Sequence, residues 1–163
     1  MTKLLLLTGL YLVFCGSGQF KAEKVWLFSK KQYPGNVPSR VPGGQPVAPS
    51  TVVICFLEIK KDETVPTWNT ACLNGSKFNV TTQEVTPTMN QDSIVAGTLK
   101  DYKTPAIIKP DAGYQLIRLS LTSVGTDGKA NDEAFTLTGK IGKKEMVLKS
   151  KEPVVELAPD MMP

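Results

Sequence analysis

Two triplets, Asn74-Gly75-Ser76 and Asn79-Val80-Thr81, stand almost back to back in TACLNGSKFNVTT, Thr70 to Thr82. Each has the acceptor pattern for an asparagine-linked glycan, with no proline in the middle. Such chemistry needs an exposed amide on a chain that enters a secretory pathway. Asn74-Gly75 is also a strong hairpin signal. A type I′ turn needs positive φ at both central residues, which Asn and Gly tolerate best. A two-residue loop there pairs Leu73 with Ser76, Cys72 with Lys77, and Ala71 with Phe78. Ala71, Leu73, Phe78 and Val80 then share a face to be buried. Trp68, Thr70, Cys72, Lys77 and Asn79 share a more polar face. Asn74 sits at the turn tip, so both acceptor asparagines are expected to be exposed.

The thiols are the next candidates, and which of them count depends on the N-terminus. Lys3 is followed by the apolar run Leu4 to Phe14, LLLLTGLYLVF, and then by the small residues Gly16, Ser17 and Gly18. Charge, apolar core and small residues in that order make a secretory signal peptide. The run is too short for a span, which needs roughly 20 apolar residues. The expected leader is 1–18, cut after Gly18, leaving 19–163. A cut after Ala22 would put bulky Phe20 at the third position before it. A lipid anchor on Cys15 would follow the large Phe14. Cys15 leaves with the leader, so Cys55 and Cys72 remain and are expected to form a disulfide in an oxidising compartment. That bridge would be worth about 3 kcal/mol in the chain-entropy picture. It requires their strands to be neighbours, which sits awkwardly with Cys72 on the polar hairpin face.

Other chemistry is sparse. The chain has no histidine, which removes the usual neutral-pH base and the commonest metal ligand. Two cysteines cannot make a zinc site by themselves. No phosphate-cradling loop and no dinucleotide fingerprint is present, so no cofactor is expected. Asp127, Asn131, Asp132 and Glu133 offer oxygens of the kind calcium prefers. Their spacing matches no EF-hand loop, and Asp127-Gly128 reads first as a turn, so no metal site is assigned. Paired carboxylates of the glycosidase kind remain open, because their separation is spatial. Trp26 and Trp68 could stack on a sugar, although packing is the commoner fate.

These residues must be positioned by strands. No apolar helical spacing runs beyond about two turns. β-rich runs recur instead, at Lys24–Ser29, Thr51–Lys60, Ser93–Leu99, Tyr114–Thr122, Ala134–Ile141, Glu145–Lys149 and Val154–Leu157. Thr51–Lys60 is apolar on both faces for half its length, the mark of a covered central strand. Ile141-Gly142-Lys143-Lys144 reads as a second hairpin turn. Tyr33 to Ser50 carries five prolines, which remove five backbone donors. This 33–50 loop is a stiff connection or a docking strip for an aromatic groove. Pro159 to Pro163 reads as a frayed tail.

The balance of 19 Lys and Arg against 15 Asp and Glu gives a net charge of +4, and loss of Lys3 would leave +3. Dispersed lysine pairs near strand ends discourage edge pairing, and no basic run suggests a nucleic-acid groove. The expectation is an all-β, antiparallel β-sandwich, immunoglobulin-like or related, forming one domain after a signal peptide. A secreted, non-catalytic binding or matrix module with an extracellular protein or glycan partner follows, with no nucleic acid and no membrane span. A histidine-free glycan hydrolase and a self-associating surface protein are the alternatives.

Overall fold

A computed structural model describes residues 18–33, 50–85, 93–126 and 134–161. The expected leader as far as Ser17, the proline-rich loop at 34–49 and the acidic residues at 127–133 lie outside the described residues. Every regular element described is a strand. They are β1 (Gly18–Gln19), β2 (Lys24–Tyr33), β3 (Ser50–Lys60), β4 (Thr67–Leu73), β5 (Ser76–Val85), β6 (Ile94–Thr98), β7 (Pro105–Ile108), β8 (Tyr114–Thr126), β9 (Phe135–Ile141), β10 (Lys144–Ser150), β11 (Val154–Glu156) and β12 (Asp160–Met161).

Ten of these strands form one hydrogen-bonded sheet. Its order is β1-β10-β9-β4-β5-β8-β3-β2-β11, with β12 also on β2. The sheet is mixed: β1 runs parallel to β10, and β11 and β12 run parallel to β2. The expected antiparallel arrangement holds among the long strands and is corrected only at these short segments, which add beside long strands without a hairpin to reverse them. The expected frayed tail is corrected likewise, since Asp160 and Met161 register with Gln32 and Tyr33.

Alternation explains the curl. Leu27, Val53, Cys55, Leu57, Ile59, Ile117, Leu119 and Leu121 project from β2, β3 and β8 to one side. Trp68, Ala71, Leu73, Phe78, Phe135, Leu137, Met146 and Leu148 project from β4, β5, β9 and β10, and all of these residues join one core. The sheet therefore rolls so that its two halves share an interior. On the reverse side of β2, β3 and β8, Phe28, Ile54, Phe56 and Leu116 form a second cluster. The β6–β7 hairpin covers it with Ala106 and Ile108, and Leu157 joins them. β3 is thus central and covered on both faces, as its sequence requires. β7 begins with proline and has only four residues, so its pattern is too short to read unaided.

Candidate functional site

The hairpin carrying the acceptor triplets forms as its residues dictate. Asn74 and Gly75 have φ of 50° and 75°, both in the left-handed region that a type I′ turn demands. Leu73 faces Ser76, Cys72 faces Lys77 and Ala71 faces Phe78. Ala71, Leu73 and Phe78 are buried and Val80 packs partly against them. Asn74 and Asn79 are both exposed. Asn79 lies between Thr70 of β4 and Thr122 of β8 on the outer face.

Trp68 departs from the expected face. β4 shifts register against β9 between Trp68 and Thr70. The extra residue, Asn69, reverses the alternation and turns Trp68 inward, where it is 3% exposed. Such a bulge leaves no reliable mark in sequence. Trp26 packs partly against the second cluster. Both tryptophans therefore serve packing.

The structure does not bring Cys55 and Cys72 together; both are free thiols. β5 and β8 stand between β3 and β4. Cys55 points into the interior among Leu119 and Leu57, whereas Cys72, flanked by the inward residues Ala71 and Leu73, points outward. Opposite faces and two intervening strands exclude the short Cα separation a disulfide needs. The expected bridge is corrected, and the hairpin register that conflicted with it stands. Burial pushes the Cys55 thiol well above its ordinary range.

The mouth of the curl lies beside the Asn74 turn. Inward positions that carry hydrocarbon deeper in the sheet carry hydroxyls here. Leu27 gives way to Ser29, Val53 to Thr51, Leu121 to Ser123 and Phe78 to Ser76. The four hydroxyl residues edge a cleft of about 630 Å³ floored by Val53, Leu73 and Phe78. Apolar floor, polar rim and this volume are the usual make-up of a ligand site. No protein-family model, curated protein or solved structure matches the chain.

A carboxylate pair exists elsewhere. Lys24 Nζ lies 2.7 Å from Asp111 Oδ2 and 3.4 Å from Glu58 Oε2, and Glu58 Oε1 accepts from the Asp111 backbone N–H. Glu58 falls in the half of Thr51–Lys60 that is not apolar on both faces, and the structure buries it completely. Lys24, opposite it on β2, and the turn before β8 enclose it. The hydrogen bond from Lys24 to Asp111 is the first cause holding the Lys24 ammonium above its ordinary pKa. Among the described residues, no three His, Cys, Asp or Glu side chains gather as a metal site. No helix among them is long and apolar enough to cross a membrane.

Proposed function

We propose that this is a secreted, non-catalytic extracellular binding module whose ligand end is the hydroxyl-edged mouth of the curl. The observation that carries the reading is the replacement of hydrocarbon by Ser29, Thr51, Ser76 and Ser123 over an apolar floor. Hydroxyls both donate and accept, so they suit a glycan or a polar protein loop that brings a small apolar part to the floor. Export through a leader at 1–18 and a glycan on Asn74 or Asn79 belong to the same reading. Both asparagines stand on a hairpin whose opposite face is anchored in the core, which leaves their amides free for transfer.

The sandwich reading, immunoglobulin-like or related, is kept here. It is supported by inner faces of β2, β3 and β8 meeting those of β4, β9 and β10 across one interior, as stacked sheets do. The glycan-hydrolase alternative draws less support. Glu58 and Asp111 are close, but Glu58 is sealed from solvent and engaged by Lys24 and a backbone donor. Self-association through edges is opposed by the brevity of the terminal strands β1 and β11, since short edges guard against pairing.

The test is binding of the mature chain to arrays of glycans and extracellular protein domains, beside Ser123→Trp and Lys61→Trp variants. Ser123→Trp fills the mouth; Lys61 is exposed at the far end of β3. Signals lost only in Ser123→Trp support the reading. Signals unchanged by Ser123→Trp, or no signal on either array, count against it.

A further inference from the structure

We propose that Gln19 becomes the first residue of the mature chain and is closed there to pyroglutamate. This rests on the leader reading above. The structure adds why the cut must precede Phe20. That ring is 5% exposed, stands edge-on to Trp68, and its backbone N–H donates to Val147 O at 2.9 Å. A cut after Ala22 would discard a core residue, whereas a cut after Gly18 retains it and frees the amine of Gln19.

That amine would be born in basic surroundings. A Cβ built on Gly18 would come within 3.1 Å of Lys144 Nζ, and Gln19 shares a groove with Lys149. Neighbouring cations disfavour a protonated amine, and the neutral amine is the nucleophile for ring closure. Gln19 is itself exposed, so its side chain can fold back. The α-nitrogen attacks Cδ, a new C–N bond forms, and the Cδ–Nε2 bond breaks. The α-nitrogen gives up a proton and ammonia departs, with no oxidant or reductant. The lactam carries no charge, which removes repulsion beside Lys144 and Lys149. It leaves the Phe20 N–H bond to Val147 in place and denies aminopeptidases a free end on the strand that covers β10.

The full-length chain is expressed in eukaryotic secretory cells, and protein from the medium is sequenced from its N-terminus by stepwise degradation and tandem mass spectrometry. The expected result is a blocked terminus and a first peptide that begins at residue 19 and lacks one ammonia. Pyroglutamyl aminopeptidase on the unfolded chain then exposes Phe20. A Gln19→Ser variant, also secreted, is expected to give an open terminus. A chain that begins at an uncyclised Gln19 overturns this proposal and leaves the leader reading intact. A chain that begins elsewhere, or is not exported, overturns both.

Discussion

The rings of Phe20 and Trp68 meet edge to face, with centroids 5.4 Å apart and planes at 81°. This contact ties the segment after β1 to the bulged strand β4 and brings the β10 edge of the sheet onto the common core. Phe20→Ala removes a buried ring whose place neighbours cannot fill. It should cost about 3–5 kcal/mol, read as a lower urea midpoint at unchanged slope. Phe20→Leu should recover more than half of that loss.

Gly139 is needed because Trp68 lies over it. A Cβ there would stand 2.6 Å from Thr67 O and 2.8 Å from Trp68 Cε3. Backbone cannot yield cheaply, so Gly139→Ala should destabilise by about 1–3 kcal/mol. Lys140→Ala, exposed on the next position, should change stability by less than about 0.5 kcal/mol. Chemical denaturation of both variants checks the contrast.

The thiols should behave differently from one another. In the folded protein a thiol reagent should modify half-buried Cys72 and spare buried Cys55, with both reacting in urea. The folded-state pKa of Cys55 is raised above its ordinary value of 9.0 by burial. The protonated thiol is therefore favoured by folding. Its contribution is fully present below pH 9 and declines as pH rises past 9, where the unfolded thiolate forms. Cys55→Ala should flatten the fall in stability above pH 9, measured by urea midpoints across an alkaline series.

Glu58 holds the turn before β8 through the Asp111 N–H. Glu58→Ala leaves that donor without its acceptor and should cost about 1–3 kcal/mol. Glu58→Gln retains an acceptor oxygen and should cost less. Lys24→Met should destabilise the natural chain, because Glu58 then keeps a buried charge without its counterion. The same change should have a smaller effect in a Glu58→Gln background. A double-mutant cycle by denaturant unfolding measures that coupling.

Much of this architecture was legible in short-range chemistry. Asn74-Gly75 sets the hairpin and its register because only those residue types accept two positive φ values. Gly142, with φ of 59°, does the same for the turn that places Lys144 opposite Ile141. The doubly apolar pattern of Val53 to Ile59 marks β3 as central. What failed depends on long-range placement. The bulge at Asn69 reversed Trp68 without a local signal. Strand order separated Cys55 from Cys72, and nothing in their own neighbourhoods encodes strand order. The burial of Glu58 has no local mark, because its enclosure comes from Lys24 and Asp111, distant in sequence. The mouth needed four strands aligned before Ser29, Thr51, Ser76 and Ser123 could be seen as one set.

Export is the claim on which the extracellular reading depends, and glycan occupancy tests it most directly. The full-length chain is expressed in eukaryotic secretory cells, and peptides spanning Asn74 and Asn79 are mapped before and after enzymatic removal of asparagine-linked glycans. The account predicts chain in the medium, with glycan on one or both asparagines and aspartate left there after removal. Chain retained in the cytosol, with Met1 in place and both asparagines bare, would contradict it.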